Sequence, residues 1–111
     1  MTCSRHRPEL YARAVRDNLA DCLVTLPTLL ARDAQPSLHF YFANFEGMRK
    51  KLFPLLVRAY QAWVAGDIAP LKQAVARGQE HWLEAGRKMI AAQRDGEVDT
   101  RLVQIGEAAA L

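Results

Sequence analysis

The sequence has no uninterrupted apolar run close to the ~20 residues that a membrane-spanning helix requires, so we expect no contact with a membrane. It has only two cysteines, Cys3 and Cys22, which lie 19 positions apart and form no CxxC pair. The two cysteines therefore give little reason to expect redox activity or a metal site. Cys22 lies on an apolar helical stripe and is predicted to be a buried, reduced thiol. The basic start leads into a charged helix rather than a signal-peptide core, so we expect a cytoplasmic protein.

Catalytic and cofactor motifs are also scarce. The three histidines, His6, His39 and His81, belong to no HExxH motif, and no Cys or carboxylate spacing matches a zinc site. His81 lies near Glu80 and Glu84, but on a highly charged helix these are interpreted as surface side chains. There is no Walker loop, GxGxxG or GxSxG. We therefore predict no enzyme activity, no cofactor and no metal.

The composition is that of one ordinary folded domain. Half of the 111 residues are hydrophobic and about a quarter are charged, so the chain should fold without a metal or a disulfide. We assign residues 1–7 to a flexible N-terminal segment and residues 8–111 to a single helical domain.

The positive charge is too weak to indicate a nucleic-acid binder. The net charge is +3, from 15 basic and 12 acidic residues, and the basic triplet at 49–51 is interpreted as solvated surface. A helix-turn-helix over residues 33–51 would have an aromatic recognition helix, which reads base edges poorly. Direct binding to nucleic acid is therefore not expected.

Hydrophobic spacing predicts an all-α fold, a small bundle of four to five helices with proline-kinked long helices. The first helix begins near Pro8, and it bends or restarts at Pro27. A loop over residues 32–37 follows, in which Ser37 can serve as the next N-cap. The second element covers residues 38–65, either as one kinked helix or as two helices joined at Phe53–Pro54.

Gly66 and Asp67 end the second element, since glycine suits a left-handed C-cap and aspartate suits the next N-cap. A third helix is predicted from Ile68 to about Arg94. A last helix covers about residues 99–109, and its end is expected to fray.

The third helix carries a heptad seam. Its members alternate steps of three and four residues: Ile68, Leu71, Val75, Gly78, Trp82, Ala85, Met89 and Ala92. Antiparallel packing inside one bundle is the preferred interpretation. The alternative is self-association of two copies through Val75, Gly78 and Trp82.

The most informative segment is aromatic and precedes the basic triplet. Tyr41, Phe42 and Phe45 fall on one apolar helical arc, whereas Phe40 falls nearly opposite and Arg49 falls inside the arc. A helix that only buries one face would need neither an aromatic ring on the opposite face nor an arginine inside the apolar arc. The segment is either a core helix with one stray surface ring or a surface that meets a second protein, where aromatic residues and arginine are enriched. On the second interpretation all five residues are partner-binding, with Arg49 pairing an acidic group of the partner.

Residues 39–48 (HFYFANFEGM) and 49–58 (RKKLFPLLVR), in a small all-helical chain, resemble the quorum-sensing anti-activators of the QslA type. The resemblance covers the full length and rests on overall likeness, so it assigns no binding residue. It implies a protein that binds the ligand-binding domain of a LuxR-type (LasR-like) transcription factor. Such binding blocks dimerisation of the regulator and hence its binding to DNA.

The residues alone lead only to a helical interaction module. We expect the chain to form a homodimer and also to bind the regulator. The alternatives that remain open are a helical homo-oligomeric adaptor and a nucleic-acid-associated regulatory protein.

Overall fold

The computed structural model describes residues 3–96 and 98–111, and the regular structure in these ranges is entirely helical. Helix α1 (Cys3–Ala20), a π-helical turn (Asp21–Thr25) and α2 (Leu26–Ala31) follow one another without a break. The remaining helices are α3 (Gln35–Ala43), α4 (Gly47–Lys51), α5 (Pro54–Val64), α6 (Ala69–Arg94) and α7 (Val98–Ala108). The predicted all-α bundle is confirmed, with six separate helices in the described residues instead of four to five.

Three of the helices form the centre of the bundle. α1, α6 and α7 pack against one another, and α5 packs on α6. The π-helical turn also contacts α6, and α3 packs on α2. Among the residues that the structure describes, no helix combines the length and the apolar character needed to cross a bilayer.

The first helix starts earlier than predicted. It begins at Cys3, so Pro8 lies within it and is buried, instead of marking its first turn. Of the segment 1–7 that we expected to be flexible, residues 3–7 are helical, and residues 1 and 2 lie outside the described ranges.

The helix does not stop at Pro27 but widens just ahead of it. The N–H of Leu26 bonds to the carbonyl of Asp21, five residues back, and Pro27 has no N–H. The carbonyl of Cys22 therefore loses its helical donors, and the side-chain amide of Gln79 donates to it at 2.9 Å. The π-helical turn accommodates the proline and ties the first helix to α6.

The turn between α2 and α3 is shorter than the predicted loop. Asp33 adopts the left-handed φ of +50°, and its N–H donates to the carbonyl of Leu30 at 3.2 Å, as in a Schellman cap. α3 begins at Gln35, which places Pro36 in the first turn, where a missing N–H costs nothing. Ser37 lies inside the helix, so the prediction that it is an N-cap is wrong.

The second predicted element is broken twice. The break at residues 44–46 was not predicted. There, the side-chain amide of Asn44 donates to the carbonyl of Phe40 at 2.8 Å, and Gly47 has a φ of +72°. The second break lies at Phe53–Pro54, as predicted, and separates two helices instead of kinking one. The unpredicted break at residues 44–46 explains why the structure has more helices than predicted.

The C-terminal residues pair with the chain at the second break. The N–H of Leu111 donates to the carbonyl of Leu52 at 2.9 Å, and the carbonyl of Leu111 accepts from the N–H of Leu55 at 2.9 Å. Ala109 is buried. The expected fraying of this end is therefore wrong, because backbone groups left free by the break at Pro54 hold it in place.

The junction between α5 and α6 follows the prediction at Gly66, whereas α6 begins one residue later than predicted, at Ala69. Gly66 has a φ of +107°, and its N–H donates to the carbonyl of Trp63 at 2.9 Å. The N-cap of α6 is Ile68, so the prediction that Asp67 is the N-cap is wrong by one residue, although a carboxylate oxygen of Asp67 accepts from the N–H of Ala69 at 3.1 Å.

The α6 seam lies inside the bundle. Val75, Gly78 and Trp82 are buried, and Trp82 packs edge-on against Phe53 with 5.4 Å between the ring centroids. The lack of a side chain at Gly78 makes room for Phe53 and for the Cys22 thiol. Self-association through Val75, Gly78 and Trp82 is therefore wrong, since these residues already face the chain's own core. Antiparallel packing within one chain is the better interpretation.

Candidate functional site

Asp21 holds the aromatic segment against the first helix. One oxygen of its carboxylate accepts from the Tyr41 hydroxyl at 2.7 Å and from the Arg49 guanidinium at 2.9 Å. Arg49 also donates to the carbonyl of Asn44 at 3.0 Å, across the unpredicted break. Asp21, Tyr41 and Arg49 form what we call the Asp21 clasp, which joins the π-helical turn to α3 and α4.

The clasp lies largely away from water. Burial, the hydrogen bond to Asp21 and the charge of that carboxylate raise the pKa of Tyr41 well above its usual range. The phenol is therefore a neutral donor, and the Arg49 guanidinium lies over the Phe45 ring at 5.4 Å from the centroid. These contacts fix the orientation of α3.

Three of the five predicted partner-binding residues are used in or beside the Asp21 clasp. Phe45 is only 2% exposed, so it is a core residue and the prediction that it anchors a partner is wrong. The acidic partner of Arg49 is Asp21 of the same chain, not an acid on another protein. Tyr41 is half-buried and its hydroxyl is committed to the same carboxylate.

A second group of rings joins α3 to α5, and we call it the aromatic cluster: His39, Phe42, Tyr60 and Trp63. Phe42 stacks on Tyr60 with 4.2 Å between the ring centroids, and the ring centroids of His39 and Trp63 lie 4.6 Å apart. His39 Nδ1 and the Tyr60 hydroxyl share a hydrogen bond of 3.0 Å. Phe42 is half-buried in this contact, so it supports α3 more than it is displayed to solvent.

The sequence did not indicate that His39, Tyr60 and Trp63 act together. A signal exists: the pair at 39 and 42 and the pair at 60 and 63 have the same three-residue spacing, which places each pair on one helix face. Spacing alone does not show that the two faces meet. The outer side of the cluster opens into a shallow groove of about 410 Å³, lined by Asp33, Gln35, His39, Trp63, Val64, Gly66 and Ile68.

Phe40 is the one predicted anchor whose ring is directed to solvent. Its side chain is 72% exposed, the largest value among the large apolar side chains that the structure describes. Its neighbours on α3 explain this, because Leu38 is buried while His39 and Phe42 contact α5. Phe40 therefore points away from the surfaces that hold the helix.

α3 is thus held on two sides and displays one aromatic ring to solvent. A model of the C-terminal domain of DUF6866, a family of unknown function, matches residues 1–109 of this chain. The chain belongs to this family. The matched range includes the residues of the Asp21 clasp, the aromatic cluster and Phe40. No curated protein and no solved structure matches the chain.

The side chains of this DUF6866 domain that could take part in catalysis are mostly buried or hydrogen-bonded within the chain. Burial, and to a lesser degree the nearby Asp21 carboxylate, raise the pKa of the Cys22 thiol to about 12, so it is protonated at neutral pH. His81 Nε2 donates to the carbonyl of Ala109, and His39 is bonded to Tyr60. Within the described ranges, no three His, Cys, Asp or Glu residues are grouped so as to hold a metal ion. The absence of enzyme activity stays a prediction.

Proposed function

We propose that this protein is an anti-activator that binds the ligand-binding domain of a LuxR-type, LasR-like transcription factor and blocks its dimerisation. The resemblance of residues 39–58 to the QslA-type anti-activators motivates the proposal. The observation that carries it is Phe40, an aromatic side chain 72% exposed on an otherwise well-packed helix. Aromatic residues, phenylalanine among them, are enriched in the cores of protein–protein interfaces.

The rigidity of α3 supports the proposal. The Asp21 clasp holds one side of α3 and the aromatic cluster holds another, so the helix that carries Phe40 has a fixed orientation. A helix that is already ordered loses little backbone entropy on binding, and this favours affinity. The remaining apolar core is closed, so the fold does not depend on a partner to cover Phe40.

The proposed mechanism is competition by mass action. A LuxR-type regulator binds two half-sites as a dimer, and the inhibitor occupies the surface through which its ligand-binding domains associate. Each inhibitor bound to a regulator monomer withdraws that monomer from dimerisation. Transcription then begins only when the regulator outnumbers the inhibitor. The proposal requires no chemistry and places the protein in the cytoplasm with its target.

The proposal is tested by titrating the purified ligand-binding domain of LasR, with its autoinducer, against this chain. Binding is measured by calorimetry, and dimer loss by light scattering. Phe40→Ala should weaken binding about 30-fold, the equivalent of a truncated hot spot of about 2 kcal/mol. Its stability should change by less than about 0.5 kcal/mol because the side chain is exposed.

Ile90→Ala is the matched control, since Ile90 is a 55% exposed apolar residue on α6. It should bind as tightly as the wild-type chain. If the wild-type chain does not bind the domain, the anti-activator proposal fails. If Phe40→Ala binds with wild-type affinity while its circular dichroism is unchanged, Phe40 is not the anchor.

The homodimer that we expected stays a prediction, and it cannot form through the α6 seam. Light scattering of the chain alone over a wide range of concentration gives its mass. The nucleic-acid alternative is tested with duplex DNA in low salt. Retardation with a steep salt dependence would favour that alternative over the anti-activator.

A further inference from the structure

A second surface, which shares no residue with the aromatic cluster or Phe40, is a groove between α1, α4 and α5. It is open to solvent along its length and has a volume of about 860 Å³, and we call it the basic groove. Its lining residues are Leu10, Gly47, Met48, Lys50, Lys51, Pro54, Val57, Arg58 and Gln61.

The floor of the basic groove is apolar and partly open to water. Leu10 is 45% exposed, Met48 and Val57 are half-buried, and Pro54 is exposed. Each of these side chains comes from a helix that the bundle already fixes in place. The floor therefore offers preformed apolar surface for a ligand to cover.

The rim of the groove is positive. Lys50, Lys51 and Arg58 line it, and no acidic residue does. The ion pairs within the described residues are Arg7–Glu107 and Arg49–Asp21, so the three rim cations have no acidic partner there. An apolar floor with an unneutralised positive rim is complementary to an apolar ridge flanked by carboxylates.

We propose that the basic groove binds an acidic amphipathic helix of a partner protein. The apolar residues of such a helix, spaced at i, i+3 or i+4 and i+7, would cover Leu10, Met48 and Val57. Its flanking carboxylates would meet the lysines and Arg58. A phosphate backbone would satisfy the rim but leave the apolar floor uncovered, so nucleic acid fits less well. A bilayer is flat and suits a protruding apolar ridge better than a recessed floor.

The probe is a fluorescently labelled helical peptide with leucines at i, i+3 and i+7 and glutamates on both flanks. Its affinity is measured by fluorescence anisotropy against the full chain. A second peptide replaces each glutamate with lysine. The acidic peptide should bind and the basic one should not, and amide shifts in NMR spectra should concentrate around Leu10 and at residues 47–61.

Two pairs of variants separate charge from apolar contact. Lys51→Glu combined with Arg58→Glu should weaken binding at least about tenfold, because attraction becomes repulsion at both positions. Lys72→Glu combined with Arg87→Glu makes the same change in net charge at exposed sites on α6 and should leave affinity unchanged. Leu10→Ser should weaken binding several-fold, whereas Leu83→Ser, at a 40% exposed site, should not.

The proposal is overturned if both double-charge variants weaken binding equally, because the effect would then be net charge alone. It is also overturned if the acidic peptide does not bind, or if anionic vesicles or duplex DNA bind the wild-type chain and lose binding with the groove variants. Because these experiments use neither the LasR domain nor Phe40, their outcome is independent of the anti-activator proposal.

Discussion

Two glycines of α6 should respond in opposite ways to the same substitution. Gly78 is buried, and a β-carbon there would lie 2.9 Å from the Cζ atom of Phe53 and would also collide with the Cys22 thiol. Gly86, two turns later, has no heavy atom of a neighbour within 4 Å of the same position. Alanine should improve the helix by about 1 kcal/mol at either site. Only at Gly78 does it also overpack the core.

The cost of overpacking at Gly78 should exceed the gain in helix propensity. Cys22 and Phe53 are both 0% exposed, and Phe53 is held by Trp82, so neither can move into open space. Overpacking of a core of this kind costs about 3 kcal/mol, at the upper end of the usual range. Gly78→Ala should therefore destabilise the protein by about 2 kcal/mol, whereas Gly86→Ala should stabilise it by about 1 kcal/mol.

Urea denaturation followed by tryptophan fluorescence and circular dichroism measures the difference. With an m-value of about 1.5 kcal/mol/M, the midpoints of the two variants should differ by about 2 M. Adding Cys22→Ala to Gly78→Ala removes the colliding sulfur and should recover part of the loss, which gives a favourable coupling in a double-mutant cycle. A Gly78→Ala protein as stable as the wild type, with the same helical content, would refute the packing described around Gly78.

Two further predictions concern Asp21 and Cys22. Asp21→Ala should destabilise the protein by about 2–3 kcal/mol in urea denaturation, because it leaves Tyr41 and Arg49 without their acceptor; Asp21→Asn, which keeps one acceptor oxygen, should cost less. The pKa of Cys22 is about 12 in the folded chain against an ordinary 9.0, so its contribution to stability is complete below pH 9.0 and declines above it, by at most about 1.4 kcal/mol per pH unit. Cys22→Ala should show a shallower loss of stability above pH 9.0, and equal pH dependence of the two proteins would contradict the burial of this thiol.

Local sequence signals predicted the parts of the fold that local physics controls. The α6 seam follows from a spacing of three and four residues, and Val75, Trp82 and the rest of its heptad positions are buried apart from the half-buried Ile68. Gly66 adopts the left-handed conformation that a C-cap requires. In both cases the determining residues lie within a few positions of one another.

Two of the errors concern contacts between distant residues, and a third concerns a local turn. Arg49 bonds to Asp21, 28 positions away, and no periodicity reveals that choice of partner. Leu111 is held by backbone groups that only the break at Pro54 leaves free. Apolar spacing continued through residues 44–46, so it predicted one helix, although Asn44 and Gly47 are ordinary helix-ending residues. Here local turn chemistry opposed the pattern and prevailed.

Apart from Leu10 of α1, the two proposed surfaces both lie on the segment from α3 to α5. α1, α6 and α7 already pack into a compact centre, whereas α3, α4 and α5 are short helices separated by breaks. An unbroken helix over residues 38–65 would have kept Phe40 on the same straight rod as the basic triplet. The breaks instead divide this segment into three helices that change direction and pack on the bundle. Phe40 is therefore displayed on α3, while Lys50 and Lys51 of α4 line the basic groove. Because the break at residues 44–46 separates the two surfaces, binding at Phe40 and binding at the basic groove should be independent, and a protein in which Phe40→Ala also abolished binding of the acidic peptide would contradict this division.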